Sequence, residues 1–511
     1  METETRGATS ELDEARRRVE QLEATVKELE RSRLAEATVA REYLKALRRR
    51  ELQLEGVYRS RSWRLTAPIR AVSSLIQSLL RPQAGSSAAP VASCEPIRGG
   101  RRLFIECTHT HASEINTGIQ RVVRNVLRYA PAVARRFGYE VVPVVCNRGQ
   151  LVHAETSRVL ANKPRSGVGG HGWILGPPEK DSSAAAGVGM SLDLYDTHEG
   201  NLLLLLDSSW RSSIWPPTRR FKRKGGRVAG VMYDLIPISH PHTCDEPLVM
   251  GFCSWFNQYV GVTDLTVAIS RHTAERFETY LAEQVSAGLS VSHAPVSLFS
   301  LGSELDLIEP GHKARASFLS MFPDDRHVFL SVGSIEPRKN HRLIVEAFER
   351  HWQEGGTATL VLIGERAWRT EDLIARIERH PAKGKQLFLV RDATDEELDH
   401  AYRNASALIM ASEIEGFGLP VVEAFQRGLP VLCSDIPVFR EIADGRASFF
   451  RLEGPDELAQ TVGEFCAVHP VSERSIRKPQ PWLSWAESTA QLVGGIVAAL
   501  GSAANPRDLH Q

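Results

Sequence analysis

The sequence predicts an α/β protein in which two doubly wound, parallel-sheet domains face one another behind a helical N-terminal extension. Three observations carry that expectation. Short apolar runs alternate with amphipathic stretches across 101–305 and again across 306–478, the pattern of strand–helix–strand units on a parallel sheet. A Pro-, Gly-, Ser- and Ala-rich segment without periodicity, 83–100, reads as a linker. Residues 10–56 contain no Gly or Pro between Ser10 and Glu55, so 1–56 reads as one long helical element.

Composition bounds the answer. At 511 residues the chain has room for two or three domains, and 42% hydrophobic with 24% charged residues is ordinary for a soluble globular protein. Lys plus Arg and Asp plus Glu are 62 each, so no global charge argues for a nucleic-acid partner. The seven cysteines are odd in number and form no CxxC pair, which suits reduced thiols in a cytoplasmic protein. No apolar run reaches transmembrane length, and the N-terminus does not read as a signal peptide.

In chain order, Leu12, Ala15, Val19, Leu22, Val26 and Leu29 recur in steps of three and four, the spacing of a coiled-coil seam that would make the chain a homo-oligomer. A single solvated helix is the other reading. Within 57–82, Trp63, Leu65, Ile69, Val72 and Leu75 form an apolar side flanked by Arg59, Arg61, Arg64 and Arg70. Such a segment either lies in the headgroup layer of an anionic membrane, placing the protein on the inner face of the cytoplasmic membrane, or packs on a neighbouring domain. The first α/β domain should hold strands at Leu103–Ile105, Val141–Cys146, Leu202–Leu206, Val228–Met232 and Leu265–Ile269, a helix over Ile119–Tyr129, and a long loop over 162–201. The second should hold strands at Phe329–Val332, Thr359–Ile363, Leu387–Val390, Ala407–Met410 and Val431–Cys433. Residues 479–511 supply a last amphipathic helix and a tail.

The chemistry concentrates in Glu415–Glu441. Gly416-Phe417-Gly418 is a loop of small residues that lets a ligand approach the backbone, and Leu419-Pro420 opens a helix with apolar Val421, Val422, Ala424 and Phe425. A glycine loop feeding a helix N-terminus presents N–H groups and a positive dipole end to an anion. Glu415 and Glu423 bracket that site with hydroxyl-seeking carboxylates, which describes a nucleotide-sugar pocket. Arg338 and Lys339 follow a strand that ends at Gly333, where side chains reach into an interdomain cleft.

The Glu-x7-Glu pair in EGFGLPVVEA resembles the donor-site signature of retaining GT-B glycosyltransferases of family 4, the glycosyl transferases group 1. FLSVGSIEPRKN (329–340) and DEELDHAYRNASALIM (395–410) resemble two further blocks of that family, in the same order. The resemblance implies the GT-B fold, hexosyltransferase activity and retention by same-face substitution. A nucleotide diphosphate sugar would serve as donor substrate, with no bound cofactor. It implies that Glu423 binds ribose hydroxyls, that Glu415 meets the donor sugar, that Lys339 and Arg338 meet the diphosphate, and that Gly416–Leu419 approach sugar and phosphates. Gly118 would let acceptor or donor phosphate come close.

Two positions depart from the family. Ser334 stands where relatives often have a phosphate-binding Arg, and Tyr233-Asp234 stands where many have His-Asp. Asp234 and His240 therefore remain as acceptor-side candidates. His109 and His111 lack a third ligand and no DxD run is present, so no metal site is expected. The GSIEPRKN variant resembles mannosyl- and rhamnosyltransferases of surface-polysaccharide (O-antigen, lipopolysaccharide or capsule) assembly, which suggests GDP-mannose as donor and a glycan or lipid-linked acceptor. Two other readings stay open: a non-catalytic GT-B scaffold acting through its coiled coil, and a GT-B hydrolase or epimerase.

Overall fold

The computed structural model describes residues 100–113, 118–147, 149–160, 188–191, 200–286, 294–304, 314–472 and 477–501. The expected coiled coil, the basic segment 57–82, most of the linker and the end of the tail lie outside these residues. Pro96–Gln511 is one compact unit, and it contains two sheets.

The first sheet comprises β1 (Arg101–Glu106), β2 (Tyr139–Asn147), β3 (Gln150–Ala154), β4 (Val188–Ser191), β5 (Leu202–Leu205), β6 (Arg227–Met232), β7 (Leu265–Ala268) and β8 (Val296–Leu298). Its order is β4-β3-β2-β1-β5-β6-β7-β8. From β2 to β8 all neighbours are parallel, while β3 and β4 add antiparallel. Two expectations are corrected here. The sheet has an antiparallel edge, and the stretch 162–201 contains β4. A strand of four residues, Val-Gly-Met-Ser, carries too little periodicity to be seen in sequence; pairing with β3 makes it a strand.

The second sheet runs β11 (Leu387–Val390), β10 (Thr359–Ile363), β9 (Val328–Val332), β12 (Ala407–Met410), β13 (Val431–Ser434) and β14 (Ser448–Phe450), all parallel. Strands β9 and β10 are buried along their whole length, as their continuous apolar sequences require when helices cover both faces.

The helices that position the site are α1 (Gly118–Arg135), α2 (Trp215–Arg223), α3 (Glu246–Val262), α4 (Arg271–Ser286), α5 (His341–Gln353), α6 (Asp395–Asn404), α7 (Leu419–Gln426), α8 (Pro437–Ala443), α9 (Pro455–Val468) and α10 (Trp485–Leu500). Helix α1 runs past its expected end at Tyr129 and through Pro131. Proline in a helix interior costs about 3 kcal/mol, but the buried stripe of Val126, Leu127, Ala130, Val133 and Ala134 continues across it and packs under α10. Helix α10 returns from the second lobe to the first. Its Trp485 N–H donates to Glu304 Oε2 at 2.7 Å, and Ser488 Oγ donates to the Ser300 carbonyl at 2.6 Å. The apolar core is continuous between the lobes, joining Val122, Val126 and Leu492 to Val421, Val422 and Phe439. Among the described residues, no helix is long and apolar enough to cross a membrane.

Candidate functional site

Strand β9 ends at Gly333, whose φ of +142° favours glycine. A Cβ there would sit 3.1–3.3 Å from the Lys339 side chain, so the missing side chain lets Lys339 fold back over the strand end. Pro337–Lys339 form a single 3₁₀ turn, and Asn340 at φ 51° turns the chain into α5. This geometry delivers two cations to one carboxylate. Lys339 Nζ lies 2.7 Å from Glu415 Oε1, and Arg338 Nη1 lies 2.7 Å from Glu415 Oε2. Ser412 Oγ donates to Glu415 Oε1 at 2.9 Å, and Arg338 Nη2 reaches Glu336 Oε1 at 2.7 Å. Burial by itself would raise the Glu415 carboxyl; Arg338 and then Lys339 outweigh it and hold it down at about 2. His341, one turn on, is pushed down to about 3 by burial and by the Lys339 charge, so it stays neutral.

The opposite lobe closes on this cluster. Gly416 has no room for a side chain: a Cβ would lie 2.1 Å from the Tyr233 carbonyl oxygen and 3.1 Å from Asp234 Cβ. The Gly416 carbonyl accepts from Ser270 Oγ at 2.7 Å and from Thr273 Oγ1 at 3.2 Å. The backbone amides of Arg271 and His272, opening α4, donate to the two oxygens of Glu441 on α8 at 2.8 and 2.9 Å. Gly416 thus serves the lobe contact itself, a use that its place in a loop of small residues did not disclose. Asp234 is half-buried beside Arg338 and accepts from the Ile236 amide at 3.0 Å; desolvation raises its carboxyl, opposed by the Arg338 charge.

Glu423 stands apart from Glu415. Its Oε1 lies 2.5 Å from Arg121 Nη1 of the first lobe, and its Oε2 accepts from Tyr402 Oη on α6 at 2.6 Å. Arg121 sits three residues beyond Gly118, on the first turn of α1, and a Cβ at Gly118 would meet Leu419 at 3.8 Å. The N-termini of α1 and α7 therefore meet end to side. Because both charges are buried, removing one partner strands the other; Arg121→Met is expected to cost about 3–5 kcal/mol, read as a shift in the urea midpoint, with Glu423→Gln in the same background recovering part of it. Additive losses would show that the pair is not coupled.

The structure brings Gly333, Arg338, Lys339, Glu415, Gly416 and Asp234 together. It does not bring the rest of the sequence candidates to that point. Phe417 is buried against Trp482, with ring centroids 6.1 Å apart, and Gly418, at φ +109°, packs under Phe439. Ser334 is half-buried beside Gly364. His240 contacts Ser239 and His242 in its own lobe. Arg338 is engaged by Glu336 and Glu415. Sequence reasoning missed Arg121, Tyr402, Glu336, Ser412, Ser270 and Thr273. Of these only Arg121 carried a signal, as a cation one turn into the helix that Gly118 starts.

A second buried acidic pair lies at the C-terminal ends of β1 and β5, where the strand order of the first sheet reverses. Glu106 Oε1 accepts from the Thr108 amide at 2.9 Å, and Asp207 accepts from the Thr110 and Ser208 amides at 2.6 and 2.7 Å. The pair therefore anchors the short helix Thr108–Ala112, which carries His109 and His111. Burial, then the Asp207 charge, pushes the Glu106 carboxyl up to about 8; Cys107, Cys146, Tyr233 and Arg211 are the other titratable groups around the pair. A folded-state pKa above the unfolded one gives stability that is present in acid and lost as pH rises from the ordinary glutamate range through about 8. Glu106→Gln should flatten the pH dependence of the urea midpoint over that window by about one proton, or about 1.4 kcal/mol per pH unit. An unchanged slope would contradict the protonated state. Among the described residues, no group of three or more His, Cys, Asp or Glu side chains is placed to hold a metal.

Two Rossmann-like sheets whose C-terminal strand ends face each other, tied by a C-terminal helix that crosses back, define the GT-B architecture. Residues 313–465 match the model of the family described as Glycosyl transferases group 1. The chain is 29% identical over 398 residues to the serotype-specific mannosyltransferase WbdA of Escherichia coli, covering 78% of this chain and 46% of WbdA. It is 35% identical over 114 residues to O-antigen chain mannosyltransferase B of Escherichia coli, covering 22% of this chain and 30% of that protein. The chain spans about half the length of the WbdA relatives it matches. Among solved structures, sucrose-phosphate synthase from Thermosynechococcus elongatus covers 78% of this chain and 96% of its own at 15% identity, with a TM-score of 0.47.

Proposed function

We propose that this chain is a retaining hexosyltransferase that moves mannose from GDP-mannose to a growing glycan of a bacterial surface polysaccharide. The observation that supports it best is the Arg338–Glu415–Lys339 cluster, pressed against the Gly416 turn with Asp234 of the opposite lobe beside it. Relatives named as a serotype-specific mannosyltransferase and as O-antigen chain mannosyltransferases support the choice of sugar. The nucleotide binds the second lobe and the acceptor the first.

As the bond from the sugar C1 to the phosphate oxygen lengthens, negative charge develops on the diphosphate. Lys339 and Arg338 neutralise it, exchanging one Glu415 oxygen each for phosphate oxygens. Glu415, held ionised, then accepts a hydroxyl of the donor sugar, while Glu423 exchanges Arg121 and Tyr402 for the ribose hydroxyls. The departing phosphate oxygen takes the proton of the acceptor hydroxyl as that oxygen bonds to C1 on the same face. Closure of the lobes through Gly416 and Glu441 keeps water from competing.

The test is nucleotide release by the full chain from a panel of GDP-mannose, UDP-glucose, UDP-N-acetylglucosamine and dTDP-rhamnose, with and without membrane extract, followed by NMR of the product anomer. Release from GDP-mannose that depends on extract and yields an α-mannoside is expected. Equal release without extract would mean hydrolysis instead, and an inverted anomer would overturn retention.

A further inference from the structure

The first lobe has a second edge, formed by the starts of its strands, opposite the one that meets the second lobe. In a parallel sheet all strands start along one rim, and here the register puts specific residues on it. Arg101 pairs with Tyr139 at the start of β2, and Arg227 pairs with Leu202, which in turn pairs with Leu103. Arg135 ends α1 and Arg136 follows it, immediately before β2; Arg223 ends α2, immediately before β6. Arg101, Arg135, Arg136, Arg223 and Arg227 are all exposed. Phe137, 43% exposed, stands among them on the turn into β2, and Val285, 52% exposed, lies on the last turn of α4 at the same rim.

Cations at helix C-termini are favoured by the helix dipole, and that would explain Arg135 and Arg223 without any partner. It does not explain Arg101 and Arg227, which belong to strands. Nor does it explain why α3 and α4, whose C-termini reach the same rim, have no basic residue in their last turns. The charge is concentrated on the β2-β1-β5-β6 part of the edge. Among the described residues there, Glu140 lies 3.6 Å from Arg102, and Asp264 lies 3.0 Å from Lys222.

We infer that this cationic rim, with Phe137 beside Arg135 and Arg136 at its β2 end, docks the first lobe on an anionic bilayer surface. The chain supports this occupant. It enters the lobe at Arg101, on the rim itself, and the segment before the 83–100 linker carries Arg59, Arg61, Arg64, Arg70 and Trp63. Two segments of the same sign do not attract each other, and a second copy of this rim would be repelled, but both fit one extended negative surface. An exposed Phe and Val suit the headgroup layer and have no place on a phosphodiester backbone. With the rim on the bilayer, the C-terminal strand ends stand roughly 20 Å above it, the length of a six-residue strand. That consequence rests on the transferase reading: the acceptor must then be a glycan long enough to span the gap. The docking itself does not rest on it.

The experiment is co-sedimentation of the full chain with vesicles of phosphatidylethanolamine and phosphatidylglycerol, against phosphatidylcholine vesicles and against duplex DNA. The variants are R135E/R136E/R227E on the rim and R379E/K385E/R391E on the second lobe. Each cation near an anionic surface is worth about fivefold in affinity, so losing three should weaken binding by about a hundredfold and reversing them by more. Wild type and the second-lobe variant should bind the anionic vesicles alike and release them in high salt, while Phe137→Ser weakens binding without altering the thermal midpoint. The inference is overturned if the rim variant binds as wild type, if phosphatidylcholine is bound equally well, or if DNA is bound more tightly than the anionic vesicles.

Discussion

Gly416→Ala is expected to reduce sugar transfer by at least about 100-fold, because reacting groups displaced by about 1 Å lose that much. The new Cβ would lie 2.1 Å from the Tyr233 carbonyl oxygen, and real Cβ atoms essentially never come within 3.0 Å of a neighbour, so the backbones must part by about 0.9 Å. Neither side can yield cheaply. Tyr233 Oη donates to the Leu206 carbonyl at 2.7 Å, and the Gly416 carbonyl is held by Ser270 and Thr273. The opening moves Asp234 away from Arg338 and lets water into the cluster. Overpacking of this kind costs about 1–3 kcal/mol of stability. Gly463→Ala, in the interior of α9 with nothing within 4 Å of the new atom, is the control; it should be neutral or stabilise by up to about 1 kcal/mol. Unfolding midpoints and kcat for both variants decide the matter. A fully active Gly416→Ala enzyme would show that catalysis does not use this closed state.

Lys339→Ala is expected to lower kcat by about 10²–10³, the usual loss when one preorganised donor to a developing negative charge is removed. The effect on the empty protein should be much smaller. Glu415 keeps Arg338 and Ser412, so its carboxylate is not left without partners. About 1–3 kcal/mol of stability is at stake, visible as a lower midpoint in urea. Nucleotide diphosphate affinity should fall along with kcat, whereas affinity for the free nucleoside should not. Loss of the nucleoside as well would mean that Lys339 holds the lobe together and does not act on the diphosphate.

Much of the fold could be read from the chain because parallel strands buried on both faces are continuous apolar runs. Leu202–Leu205 and Val328–Val332 are examples, and no other local structure suits them so well once short helical stretches flank them. Edge strands were less visible. The short β8 and β14 are half-exposed, and β4 is only Val-Gly-Met-Ser, so their pairing partners had to be present before they counted as strands. Helix α1 passed its expected end for a related reason: the return of α10 from the far end of the chain pays for Pro131.

The candidate site divides in the same way. Sequence by itself determined which residues of the second lobe belong together, since Gly333, Arg338, Lys339, Glu415 and Gly416 lie on strand ends and helix starts whose positions follow from local pattern. Only the tertiary structure decided what they face. Arg121 reaches Glu423 across 302 positions of chain, and Tyr233 sets the space at Gly416 across 183. Contacts of that kind are chosen by how two lobes close on a shared core and by the cost of burying charge without a partner, neither of which has a period or a spacing to read.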